Sequence, residues 1–154
     1  MREQFSPEEW ADLCAAPFAA AMYVATAEGH QIDYTQEMTA FLQALRLSRR
    51  DGGTLARAVR RELGTRRGNR LGTGPGAISR DDRAAMLALL HRAGTALNRA
   101  AGDEAAPFGA WILDLAQQTA AASRTGGLLG LGGVAISQAE ANALETIRHT
   151  LNGT

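Results

Sequence analysis

Ala105-Ala106-Pro107-Phe108-Gly109-Ala110-Trp111-Ile112-Leu113-Asp114-Leu115-Ala116-Gln117-Gln118-Thr119 is the stretch that decides the fold class. Phe108, Trp111, Ile112, Leu115 and Thr119 recur at spacings of three and four, which sets them along one face of an α-helix. No stretch of the chain sustains the two-residue alternation of a β-strand. Upstream, the same helical spacing carries Met86, Leu90, Ala93 and Leu97, behind Ser79 as a cap with Asp81 and Asp82 in the first turn. Downstream, Ser137-Gln138-Ala139-Glu140 reads as a capping box, followed by Leu144, Ile147 and Leu151. Asp103 or Ala106 is the expected start of the central helix itself.

The first half of the chain reads in the same way. Ser6-Pro7-Glu8-Glu9 has the form of a cap, a proline in the first turn and a capping-box acid, and Trp10, Leu13 and Cys14 share a face. Pro17 is expected to end that helix and to open a second, reaching about Ala27, because an interior proline removes a helical hydrogen bond. Glu28-Gly29-His30-Gln31 forms a turn, and Asp33 caps a helix with Met38, Phe41, Leu42 and Leu45 as its buried face. Asp51-Gly52-Gly53 is a break. Thr54 is the expected cap of a short helix to about Leu63, with Leu55, Val59 and Leu63 on one stripe and Arg57, Arg60 and Arg61 on the other. Residues 64–78 and 125–136, rich in glycine, are the two long loops. The expectation is an all-α, compact helical bundle of six to seven helices forming a single domain over residues 1–154.

Bulk properties fit this class. A 154-residue chain with 45% hydrophobic and 21% charged residues has the size and balance of one globular domain. Cys14 is the one cysteine, so no internal disulfide forms. No segment approaches the ~20 apolar residues of a membrane helix, and the acidic stretch to Asp12 lacks a leader's apolar run. A cytoplasmic, non-membrane protein is expected.

There is also an internal echo. Ala15-Ala16-Pro17-Phe18-Ala19-Ala20 resembles Ala105-Ala106-Pro107-Phe108-Gly109-Ala110. Each is followed by an apolar helix and a glycine-containing loop that ends in Ile32-Asp33 or Ile136-Ser137. The pattern suggests two related helical hairpins packed about a pseudo-two-fold axis.

Val24-Ala25-Thr26-Ala27-Glu28-Gly29-His30-Gln31-Ile32-Asp33, with Gln36 and Glu37, resembles the helical turn of the TerB-like tellurite-resistance family. Gly132-Gly133-Val134-Ala135-Ile136-Ser137 with Glu140 looks like a degenerate second copy. Glu28 replaces the family's turn aspartate, His30 lengthens the turn, and the second copy lacks the acid before its glycine. The resemblance implies an all-helical, non-enzymatic protein of the chemical stress response, with an acidic cluster that binds a metal ion.

The residues offer two candidate sites. Glu28, His30, Asp33 and Glu37 combine three carboxylates and an imidazole at a helix start, a donor set for a divalent metal ion. The same acids also serve a plain helix N-terminus, where a cap and the dipole favour them. The second candidate follows from charge. Residues 1–45 carry seven acids and one arginine, whereas residues 46–70 carry nine arginines against Asp51 and Glu62. Arg49, Arg50, Arg57, Arg60, Arg61, Arg66 and Arg67, with Arg46 and Arg70, are candidates for binding nucleic acid or a protein partner. No aromatic residue lies between 46 and 70, which disfavours base stacking and makes nucleic acid the weaker choice. The alternatives are a solvated arginine face that complements the chain's own acidic first third, or the same pairing between copies in a homo-oligomer.

Other features point to no chemistry. Gly130-Leu131-Gly132-Gly133-Val134-Ala135 matches a dinucleotide-binding pattern but lacks the preceding strand. Cys14 lies on an apolar face, where a thiol is inert. His91 and His149 are expected on helices without acidic neighbours at ligand spacing. No small-molecule substrate is inferred.

Overall fold

The computed structural model describes residues 1–29, 34–65, 82–124 and 136–153. Among them are six α-helices and no strand: α1 (Pro7–Ala25), α2 (Tyr34–Leu47), α3 (Gly53–Thr65), α4 (Arg83–Ala100), α5 (Ala105–Arg124) and α6 (Gln138–Asn152). Short 3₁₀ turns occupy Arg2–Gln4 and Gly102–Glu104. The chain is an all-α bundle. No helix among the described residues is long and apolar enough to cross a membrane.

α1 and α5 form the centre. α5 buries Phe108, Trp111, Ile112, Leu115 and Thr119 completely, the face that the spacing dictates. α1 is buried on every side from Ala16 to Val24, as expected of a helix that is apolar all round. α4 and α5 pack on α1, α2 packs on α5, and α6 packs on α4 and α5. The Met86, Leu90, Ala93 and Leu97 face of α4 and the Ile147 and Leu151 face of α6 enter the same core.

Pro17 does not divide α1. The helix runs unbroken through it, and Pro17 itself is buried. The proline removes the N–H that would bond to the carbonyl of Leu13, a defect worth about 3 kcal/mol in an exposed helix. Burial of both flanks outweighs that defect here, since Leu13, Ala16, Ala20 and Ala21 are all fully enclosed. Pro107, by contrast, is the third residue of α5, where its missing N–H has no helical partner to lose.

The two copies of the sequence echo are not at matching points of their helices. Their prolines sit at different helical positions, one interior and one in the first turn. The packing differs too: α2 lies chiefly against α5, whereas α6, its counterpart, lies chiefly against α4 and only slightly against α1.

The helix ends show how local chemistry sets the boundaries. Ser6 and Glu9 make a reciprocal capping box: Glu9 N–H donates to Ser6 Oγ at 3.2 Å, and Ser6 N–H donates to Glu9 Oε2 at 2.8 Å. At α6, Ser137 Oγ accepts from Glu140 N–H at 3.2 Å. Asp82 is the cap of α4, not a first-turn residue, and accepts from Ala85 N–H at 2.8 Å; Ser79 and Asp81 lie outside the described residues. α3 begins one residue before Thr54 and is capped by others. Asp51 Oδ1 accepts from Gly53 N–H at 3.1 Å, and Glu104 Oε2 accepts from Leu55 N–H at 3.1 Å. On α2, Phe41 is fully buried, but Leu42 is partly exposed and Ala40 and Ala44 take its expected place.

Two ion pairs lock α1 to α4 in antiparallel order. Arg92 holds Asp12 with two bonds, Nε–Oδ2 at 2.8 Å and Nη2–Oδ1 at 2.9 Å, and Arg99 Nε donates to Glu9 Oε1 at 3.1 Å. The bond from Ser6 N–H, and then Arg99, hold the Glu9 carboxyl below its ordinary value of 4.5. Because the fold depresses this pKa, the stabilisation is complete above the ordinary carboxylate range and is lost as pH falls through the lower folded value. Glu9→Gln is expected to flatten the acid limb of the stability–pH curve, read by urea denaturation between neutral and acidic pH.

Candidate interaction surface

The arginine-rich segment begins where α2 ends. Ser48 N–H closes the helix on Ala44 O at 2.8 Å, and the linker Ser48–Gly52 then crosses to α3. Arg60, one turn into α3 from Ala56, reaches back over this linker. Its Nη2 donates to Ser48 Oγ at 3.2 Å and to Arg50 O at 3.0 Å, and its guanidinium lies 5.1 Å from the Trp111 ring centre. Gly52 is pressed against the same tryptophan: a methyl group there would lie 2.6 Å from Trp111 Cβ and 2.5 Å from Ala56 Cβ. The linker is thus anchored at Ser48, Arg50, Asp51 and Gly52.

This anchoring sorts the candidate arginines. Arg60 is half-buried, and its guanidinium is engaged by Ser48, Arg50 and Trp111, which gives it a structural role in the linker. Arg57 is exposed, but its Nε donates to Gly53 O at 3.3 Å and lies 3.9 Å from Asp51. Arg66, Arg67 and Arg70 lie outside the described residues. Arg46, Arg49, Arg50 and Arg61 are exposed, and among the described residues their guanidinium groups make no hydrogen bond or ion pair. Two of the three acids of α1, Glu9 and Asp12, pair with α4.

Arg49 and Arg50 open onto a groove of about 500 Å³. Leu47, Asp114 and Gln118 complete its lining. Leu47 is 62% exposed, the most exposed large apolar side chain among the described residues. On α5, Gln118 Nε2 donates to Asp114 Oδ2 at 2.7 Å. Asp114 and Gln118 are four residues apart and share a face, which is why α5 presents them together. Sequence reasoning passed over them, although Asp114 is the one acid between Ala105 and Arg124.

The acidic turn is only partly visible. Glu28 is exposed after the end of α1, and Gly29 turns the chain at φ +74°. Glu37 is half-buried in the first turn of α2. His30 and Asp33 lie outside the described residues. Among the described residues, no three His, Cys, Asp or Glu side chains gather as a metal site. Cys14 is buried. His91 is exposed, and His149 does have an acidic neighbour, Glu145 one turn before it, with Nε2–Oε1 at 3.0 Å.

One arginine outside the segment has a role that its sequence position concealed. Arg83, the first residue of α4, donates to Tyr23 O at 2.6 Å and to Thr26 Oγ1, and stacks 3.9 Å from the Tyr23 ring centre. α1 has no basic residue in its last turn, and Arg83 supplies that charge to its carbonyl end from outside the helix.

Comparisons with protein-family models, curated proteins and solved structures found no match to this chain.

Proposed function

We propose that the protein is a non-enzymatic interaction module that binds an acidic protein partner in the groove at the α2–α3 linker. The observation that carries this reading is the state of Arg49 and Arg50. They are exposed, lack partners among the described residues, and stand on an anchored linker beside an exposed leucine. Unpaired guanidinium groups favour carboxylates, and a pre-positioned linker lowers the entropy cost of binding. Leu47 favours a protein over a nucleic acid, since it offers contact area to an apolar side chain and nothing to a phosphate. A low-salt titration of a fluorescent peptide of alternating Glu and Leu, read by anisotropy, tests this. Arg49→Glu/Arg50→Glu is expected to weaken binding by at least about tenfold, with the circular dichroism spectrum unchanged. Equal binding by the double variant would remove the groove from the function.

A second reading keeps the TerB-like resemblance. A stress-related role with a divalent metal at Glu28, His30, Asp33 and Glu37 is supported by the resemblance and by Gly29, whose left-handed conformation suits such a turn. Calorimetry with zinc, calcium and manganese tests it, and an Asp33→Ala/Glu37→Ala variant with unchanged heats would end it.

A further inference from the structure

The two walls of the groove differ in chemistry. On the linker side the charged side chains are Arg49 and Arg50, whose guanidinium groups are donors without acceptors. The α5 wall carries the Asp114 carboxylate, tied through Oδ2 to the Gln118 amide at 2.7 Å. That bond fixes the carboxylate and leaves its other oxygen available as an acceptor. Neither groove arginine forms an ion pair with Asp114 among the described residues.

From this opposition we infer that Asp114, positioned by Gln118, makes the groove select an extended acidic peptide and reject a plain polyanion. The inference rests on the proposed binding role of the groove. A phosphodiester strand presents acceptors and negative charge to both walls, and it meets repulsion at Asp114. An extended acidic peptide presents carboxylates to Arg49 and Arg50 and retains backbone N–H donors for Asp114. One of its apolar side chains covers Leu47, which is 62% exposed. The occupant is thus an acidic peptide segment with interleaved apolar residues. This is specificity by a repulsive element as well as an attractive one.

Two fluorescent probes of equal net charge separate the cases: the Glu/Leu peptide and a short abasic oligodeoxynucleotide, whose phosphodiester backbone has no N–H donor. Wild-type protein is expected to bind the peptide about tenfold more tightly than the oligonucleotide. Asp114→Asn preserves an acceptor for Gln118 and removes the charge. It is expected to raise oligonucleotide affinity by about threefold and to lower peptide affinity, compressing the ratio. Gln118→Glu is expected to move the oligonucleotide in the opposite direction. An oligonucleotide bound as tightly as the peptide by wild-type protein, or a ratio unmoved by both variants, would overturn the selectivity while leaving the binding role intact. Failure of wild-type protein to bind either probe at low salt would remove both. Sedimentation of the protein alone adds a control: a salt-sensitive dimer broken by Arg49→Glu/Arg50→Glu would identify a second copy as the occupant and overturn the peptide assignment.

Discussion

Trp111→Ala is expected to destabilise the fold by about 3–5 kcal/mol, the range for removing a fully enclosed large aromatic side chain. Trp111 is completely buried on the central helix, with Phe108 at 5.5 Å between ring centres. Its surroundings are poorly placed to collapse into the space. Gly52 and Ala56, which pack on it, have little side chain with which to fill a void. The substitution also removes the ring beneath Arg60, so the strap across Ser48 and Arg50 loses one of its anchors. With total stabilities of about 5–15 kcal/mol typical of single domains, a loss of this size removes a large share of the margin that keeps the chain folded. Urea denaturation at 25 °C measures the loss, and peptide binding should weaken in the fraction that stays folded. A loss below about 1 kcal/mol would mean that the linker and α5 are not packed as described.

Gly94→Ala is expected to destabilise the fold although it adds a single methyl group to the middle of a helix. An alanine in mid-helix normally gains up to about 1 kcal/mol over glycine through its higher helix propensity. At Gly94 the added carbon would lie 2.6 Å from Thr150 O, 2.9 Å from Leu151 O and 3.0 Å from Leu151 Cα. These are backbone atoms at the end of α6, and they cannot turn aside as a side chain tip can. α4 and α6 must separate, loosening the contact that also includes Asn98 and the carbonyl of Leu151. The overpacking penalty is expected to exceed the propensity gain and leave a net loss of about 2 kcal/mol. For a domain of this size that corresponds to a fall in Tm of about 4–8 °C, read by thermal unfolding. An unchanged or raised Tm would show that the two helices are farther apart than the structure has them.

The fold class was legible because the strongest signals are local. The spacing of Phe108, Trp111, Ile112, Leu115 and Thr119 needs only one helix to be interpreted, and all five are fully buried. Ser6 and Ser137 cap the helices that their local patterns indicate. What failed was decided by tertiary context. Pro17 carries a valid local signal for a break, and burial on both flanks overrides it. Thr54 was a reasonable cap by type, but the helix end it was assigned is served by Glu104, nearly fifty residues away. The alanine-proline-phenylalanine echo does not extend to helix position, because its two copies occupy different turns of their helices.

The candidate surface was half legible for the same reason. Nine arginines in twenty-five residues mark a basic segment in any fold. Which of them are free depends on neighbours that the segment does not contain. Arg60 is taken up by a tryptophan fifty-one residues later, and two of the acids that might have masked the rest, Glu9 and Asp12, are claimed by Arg99 and Arg92. Asp114 and Gln118 enter the surface only because α5 packs beside the linker. An apolar helix with one acid invites a core interpretation, and the fold turns that acid outward.

The binding account reduces to one location, and amide chemical shifts can find it. A ¹⁵N-labelled sample titrated with the Glu/Leu peptide at low salt should show its largest shifts at Leu47, Arg49, Arg50, Asp114 and Gln118, diminishing as salt is raised. Shifts concentrated elsewhere, such as the groove between α5 and α6 near Gly109 and Leu151, or no shifts at all, would contradict it.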